Sequence, residues 1–405
     1  MRTCRICGGA VTEFFDFGRQ PISDAFLKPN QLDDEFFFRL AVGSCGSCTM
    51  VQLTEEVPRD RMFHRDYPYR TSTSTRMTAH FEGVARRLLA TELTAHDPFI
   101  VEIGSNDGVM LRTVSEAGVR HLGVDPSGNA ARMAERAGVR VLTDFFEEET
   151  AARIRAAEGP AQVIFSANTT SHIAYIDSVF RGVDTLLAED GVFVFEERYL
   201  ADIIDHASFD QIYDEHFYLF SVRSVHAMAQ RYGFQLVDVE SLNVHGGSMR
   251  FTVARPGARP TNRRTDEFLA KERAAGLSEA ATFKRFAADI QRIRGDLVSL
   301  LRGLRAEGRS VVGYGATSKS ATITNFCDIN SDLVPFVCDS TPDKQGRLTP
   351  GSHIPVRPPE DFSTPYPDFA LLFAWNHAEE IIAKEREFRE SGGRWILYVP
   401  EVHTL

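Results

Sequence analysis

The feature that most constrains this 405-residue chain is a regular alternation of short apolar runs with helical patterns, broken by glycine loops. Phe99–Ile103, His121–Val124, Gln162–Ala167 and Val192–Glu196 read as strands with helices between them. Such alternation dictates a parallel sheet covered on both faces. A helical pattern from Met77 to Leu93, with Phe81, Val84, Leu88 and Leu89 on one face, precedes the sheet. The run Arg255-Pro256-Gly257-Ala258-Arg259-Pro260 reads as a linker. Phe283, Phe286, Ile290, Ile293, Leu297, Leu300 and Leu304 then mark a long helix ending near Gly308. A second strand–helix alternation follows through Ser310–Gly313, Val334–Cys338, Phe369–Phe373 and Trp395–Val399.

Ahead of both units lie two C-x-x-C pairs, Cys4/Cys7 and Cys45/Cys48, with 37 residues between them. Two such knuckles, each beside small residues, supply four thiolates and form a closed, structural Cys₄ zinc site. Disulfides and a redox pair are the alternatives. Short β-like runs, Phe36–Val42 and Met50–Leu53, fill this segment. Cys327 and Cys338 sit in apolar runs and read as core. The expected organisation is a zinc-binding domain over 1–70, a doubly wound domain over 71–255 and a second α/β domain over 256–405. The net charge of −11 argues against a nucleic-acid partner. No apolar stretch suggests a membrane span and no apolar leader is visible, so a cytoplasmic protein is expected.

The first strand runs into Glu102-Ile103-Gly104-Ser105-Asn106-Asp107-Gly108. Gly104 and Gly108 let backbone approach a ligand at the carboxyl end of the strand. About twenty residues on, Asp125-Pro126 ends the second strand, the place where an acid grips ribose hydroxyls. This E-x-G-x-x-x-G pattern closely resembles the first motif of class I S-adenosylmethionine methyltransferases. The resemblance implies that Glu102, Gly104, Ser105, Asn106, Gly108, Asp125 and Pro126 hold that cofactor. Asp144 and Phe145, after a third strand, either flank its adenine or are a solvated acid beside core phenylalanines.

Three polar clusters exceed what a plain sheet needs. They are Tyr67 and Tyr69 before Thr71–Thr75, Asn168-Thr169-Thr170-Ser171-His172, and Tyr213-Asp214-Glu215-His216-Phe217 followed by His245-Gly246-Gly247-Ser248-Met249-Arg250. Each histidine alone is more often structural. A carboxylate and a phenol beside His216 change that reading. Together with Gly18-Arg19-Gln20-Pro21 and Gly313-Tyr314-Gly315-Ala316-Thr317-Ser318-Lys319-Ser320, these motifs resemble nucleotide-sugar C-methyltransferases of branched deoxysugar biosynthesis over essentially the full length.

That resemblance implies methylation at C3 of a 4-keto-6-deoxy sugar, of the 2,6-dideoxy type, on a thymidine diphosphate. It makes His216 the base. Tyr213 and Glu215 shape the enolate and sugar pocket, Tyr67 assists, and His172 is a second donor. Asn168 and Ser171 line the methyl-donor or sugar face, and Tyr69, His245, Ser248, Arg250, Tyr314 and Lys319 meet the nucleotide sugar. A monomer or weak oligomer is expected. Two departures from the family pattern occur, at Thr169 and Ser171 and at Thr317, Ser318 and Ser320. The second glycine loop opens a helix, where small residues and Lys319 suit a diphosphate; a second dinucleotide or purely structural glycines are the alternatives. Trp375-Asn376-His377 is the equivalent loop after Phe373, with contact to the nucleotide and a structural role equally open. An O- or N-methyltransferase and a non-catalytic nucleotide-sugar binding protein are the competing functions.

Overall fold

The computed structural model describes residues 2–62 and 70–405. Three sheets follow one another and share one continuous apolar core. The first is antiparallel, formed by Arg2–Thr3, Ala10–Pro21, Phe37–Cys45 and Val51–Leu53. Its last strand is supplied from far along the chain, with Tyr218 opposite Gln52 and Leu219 opposite Val51.

The second sheet has seven strands. Its central run is Val141–Leu142, Arg120–Val124, Phe99–Ile103, Ala161–Ala167 and Leu187–Arg198, all parallel. Ser248–Ala254 then adds antiparallel to Leu187–Arg198, and Gln235–Leu242 closes the edge. Phe99–Ile103 is buried at all five residues, as a strand covered on both faces requires. This strand order, with one antiparallel insertion at the edge, is the class I methyltransferase fold.

The third sheet has six strands, five of them parallel in a run through Val356–Arg357, Val337–Cys338, Val311–Tyr314, Phe369–Leu372 and Arg394–Leu397. The second strand of this unit is shorter than the apolar run 334–338 suggests. Val334 is buried by packing, while only Val337 and Cys338 find partners on both sides. The helix Ala280–Ala306 buries Phe283, Phe286, Ile290, Ile293, Leu297, Leu301 and Leu304 along one stripe. Phe283 stacks on Phe14 of the first sheet with ring centroids 4.5 Å apart, and Phe326 meets Phe15 and Phe17 edge-on. Glu35 also accepts from Gly351 N at 2.6 Å and lies 2.7 Å from His353. The first and last units therefore pack directly against each other. Among the described residues, no helix is long and apolar enough to cross a membrane.

Candidate functional site

The four cysteines converge at the end of the first sheet. Their sulfurs all lie within 4.8 Å of one another, with Cys4–Cys48 and Cys7–Cys45 each at 3.5 Å. A tetrahedron with Zn–S near 2.3 Å has edges of about 3.8 Å, so the donor set fits zinc. Backbone N–H groups of Ile6 and Ser47 donate to Cys4 and Cys45 sulfurs at 3.4 Å, which suits thiolates. Gly9 packs closely here, where a Cβ would meet Ser47 Oγ at 2.7 Å.

One cavity of about 590 Å³ lies where the three sheets meet, a size suited to small ligands. At one end is the loop after Phe99–Ile103. Glu102, Gly104, Ser105, Asn106, Asp125, Pro126 and Phe145 all line the cavity. Asp125 accepts N–H bonds from Asn106 and Ser127, each at 2.8 Å, and so holds the glycine loop against the second strand. Glu102 Oε2 is buried with no hydrogen-bond partner among the described residues. Burial, with Asp125, Asp107 and Glu196 nearby, raises the Glu102 carboxyl well above its ordinary value. A buried acid among acids fits a cationic ligand, and S-adenosylmethionine carries both an ammonium and a sulfonium. Just after the undescribed stretch, Thr71 N and Ser72 N donate to Asn106 Oδ1 and Asp107 Oδ2, each at 3.1 Å.

Not every residue of these motifs faces the cavity. Gly108 is absent from the lining; its φ of +79° starts the helix Val109–Glu116, and a Cβ there would meet Ala134 Cβ at 2.8 Å. It serves helix packing. Asp144 turns instead to Arg153 and its own loop N–H. Ser171 donates to Glu197 through Oγ at 2.7 Å and N at 2.8 Å.

In the middle of the cavity stand Asn168, His172, Arg198, Tyr213, Glu215 and His245. His216 lies one layer behind, tilted against Tyr213 at 3.9 Å and stacked on His172 at 5.2 Å between centroids. Its Nδ1 bonds the Gln211 carbonyl, which places the proton there and leaves Nε2 as the acceptor. Nε2 is buried and has no partner among the described residues. Burial, Arg198 and His172 hold His216 well below its ordinary pKa, so it is neutral. Burial and Arg198 push His172 down to about 3, and its Nδ1 lies 3.9 Å from Glu215 Oε2. Tyr67 and Tyr69 lie outside the described residues.

His245 begins a loop whose glycines are required. A Cβ on Gly246 would meet Trp375 at 2.5 Å, and one on Gly247 would meet Asp202 at 2.3 Å. Ser248 donates to the Val244 carbonyl at 3.2 Å, and Arg250 is buried in ion pairs with Glu196 and Glu240. Neither lines the cavity, and both hold the sheet edge.

At the far end the second glycine loop faces the first. Tyr314, Gly315, Thr317, Ser318 and Lys319 line this wall. Lys319 bonds Asn376 Oδ1 and lies 4.4 Å over the Trp375 ring. Burial lowers it to about 8, against the opposing pull of Asp210. Tyr314 donates to Glu385 at 2.7 Å. Asp339 repeats Asp125: it accepts from Ala316 N at 2.7 Å and Thr341 N at 2.8 Å. The sequence places an acid near this strand, but only the folded backbone shows it in the nucleotide-type position. Arg198 is a cavity residue that sequence reasoning missed, although the charged triplet Glu196-Glu197-Arg198 ending an apolar strand is a usable signal, whereas Asn376 lies in the Trp375-Asn376-His377 loop that the sequence marks as open to nucleotide contact.

Sheet order, glycine loop and acidic cradle together define a class I S-adenosylmethionine-dependent methyltransferase. Family models for a zinc binding domain, a methyltransferase domain and a C-methyltransferase C-terminal domain match residues 4–63, 77–239 and 243–400. The chain is 35% identical to the C-methyltransferase NovU of Streptomyces niveus over 406 residues, covering 99% of this chain and 96% of that protein. It belongs to the S-adenosylmethionine-dependent C-methyltransferase family. Among solved structures, a methyltransferase from Anabaena variabilis matches at 17% identity, over 43% of this chain and 84% of that one, with a TM-score of 0.35. Magnesium protoporphyrin IX methyltransferase from Synechocystis matches at 11%, over 44% and 79%, with a TM-score of 0.33.

Proposed function

We infer that the chain methylates C3 of a 4-keto-6-deoxy sugar, of the 2,6-dideoxy type, carried on thymidine diphosphate, as a step toward branched deoxysugars of antibiotics. The observation that carries this reading is the polarity of the cavity between the three sheets. Its acidic end, at Glu102 and Asp125, suits a cation, and its other end, at Lys319, suits a diphosphate. The histidine–tyrosine–glutamate cluster lies between them. We assign residues 1–70 to zinc binding, 71–255 to the methyl donor and 256–405 to the nucleotide sugar. The surroundings are cytoplasmic, the protein a monomer or weak oligomer, and its partner a sugar nucleotide and neither nucleic acid nor membrane.

S-adenosylmethionine supplies an electrophilic methyl when bound. C3 is a poor nucleophile until its proton leaves, and the C4 ketone makes that proton acidic. His216 Nε2 has a free lone pair and a proton fixed on Nδ1, the tautomer a base needs. Tyr213, on the cavity wall beside it, offers a phenol to the sugar oxygens. A second assignment has an observation of its own: His172 lines the cavity and faces Glu215, whereas His216 is one layer back.

Incubation with S-adenosylmethionine and a thymidine diphosphate 4-keto-2,6-dideoxyhexose should add one methyl, located at C3 by NMR. No methylated sugar would sink the reading. His216→Asn should abolish turnover with cofactor binding intact, and His172→Asn should slow it by about 10²–10⁴-fold if it only assists. Abolition by the His172 change alone would move the base there.

A further inference from the structure

Arg198 ends the strand Leu187–Arg198, at the carboxyl edge where open α/β sheets present groups to ligands. Five cations among the described residues line the cavity. Four are engaged: Arg59 with Glu147, Lys319 with Asn376, Lys344 with the Ala316 carbonyl at 2.8 Å, and Lys384 3.5 Å from Glu385. Arg198 differs. Its Nη1 is buried and has no hydrogen-bond partner among the described residues. Arg198 is only partly buried, but leaving a buried donor of a cation without a partner is costly, so this side of the guanidinium is placed for an anion that arrives with a ligand.

Its neighbours indicate which anion. Asn168 N donates to the Glu196 carbonyl and Ser171 donates to the Glu197 carboxylate, so the strand end that carries Arg198 is tied to the loop that carries His172; its positive charge also helps to lower His172, His216 and His245. It therefore belongs to the reaction cluster. We propose that Arg198 is a catalytic residue that contacts the C4 oxygen of the keto sugar and takes up the negative charge formed there.

The assignment rests on the C3 methylation proposed above. The base takes the C3 proton, the C3–H pair forms a C3=C4 bond, and the carbonyl π pair moves onto oxygen. When C3 takes the methyl, the carbonyl re-forms, the sulfur–methyl bond breaks and a neutral thioether leaves. A guanidinium suits this task because it stays charged at every working pH and presents several donors in a plane. A neutral ketone gains little from it and an enolate gains much, so the interaction is strongest where the barrier lies.

The test uses the full zinc-loaded protein with S-adenosylhomocysteine, which cannot methylate. Deuterium entry at C3 of the 4-keto sugar nucleotide in D₂O reads enolate formation directly. Wild type should exchange. Arg198→Met should slow exchange and kcat by about 100-fold or more at saturating sugar, with the sugar's KM within about 3-fold of wild type. Arg198→Lys should fall between. Unaltered S-adenosylmethionine affinity shows that each variant is folded, and if the Met variant fails that check the Lys variant decides. Exchange and kcat unchanged, with KM raised, would place Arg198 on the diphosphate and overturn the assignment alone. A wild type that neither exchanges nor methylates the 4-ketone would overturn the C-methylation reading, and the assignment with it.

Discussion

Replacing Gly104 by Ala tests the claim that the first glycine loop holds the cofactor by close backbone approach. Gly104 has φ of +72°, a left-handed conformation that costs a residue with a Cβ about 1–2 kcal/mol. A Cβ there would also lie 2.2 Å from Thr169 Oγ1, 2.6 Å from Cγ2 and 2.8 Å from Cβ. Overpacking of this kind adds roughly 1–3 kcal/mol, for a total of about 2–5 kcal/mol. The cost can fall in two places. If the loop keeps its shape, the folded state is destabilised. If the loop relaxes, the cofactor site is distorted and binding weakens about tenfold per 1.4 kcal/mol. Urea unfolding and calorimetric titration with S-adenosylmethionine measure the two parts, and their sum should reach at least about 2 kcal/mol. Thr169→Ala removes the two nearest atoms, so the double variant should recover much of the steric part and none of the backbone part. A Gly104→Ala protein within about 0.5 kcal/mol of wild type in both measurements would refute the reasoning.

Glu102 gives a pH prediction. Its pKa is raised by burial and by Asp125, Asp107 and Glu196, so it holds a proton well above the usual carboxylate range when no cation is near. A cation favours the ionised form, so cofactor binding should release a proton and tighten as pH rises toward the raised value. Glu102→Gln should bind more weakly with no such slope; titration in buffers of different ionisation enthalpy would expose a wild type that releases nothing. For the metal, Cys45→Ser should remove zinc from the purified protein. Structural zinc contributes about 10–16 kcal/mol in isolated modules, so melting temperature should drop sharply. A zinc-free variant melting like wild type would show the site to be dispensable.

The strand Phe99–Ile103 was legible to the residue because a fully buried parallel strand writes itself as an unbroken apolar run. The zinc site was legible because each knuckle is local and only two need to meet. The long helix over Ala280–Ala306 was legible from its periodicity. Motif membership misled where it stood in for direction. Gly108, Asp144, Ser171, Ser248 and Arg250 belong to the right motifs, yet their neighbours are Ala134, Arg153, Glu197, the Val244 carbonyl and Glu196. Which way a side chain turns depends on partners elsewhere in the chain.

The sequence by itself determined the main strands, the long helix, the two glycine loops and the four zinc ligands, since all of these reside in spacing over a few residues, and its motifs carried the resemblance to the family. Tertiary structure decided that Tyr218–Leu219 completes the first sheet against Val51–Gln52. It also decided that Asp339 takes two loop N–H groups as Asp125 does, and that Arg198 Nη1 lies buried in the reaction cluster with no hydrogen-bond partner among the described residues. These facts are convergences of segments far apart in the chain. No local period encodes them, because they are fixed by how three sheets pack around one cavity.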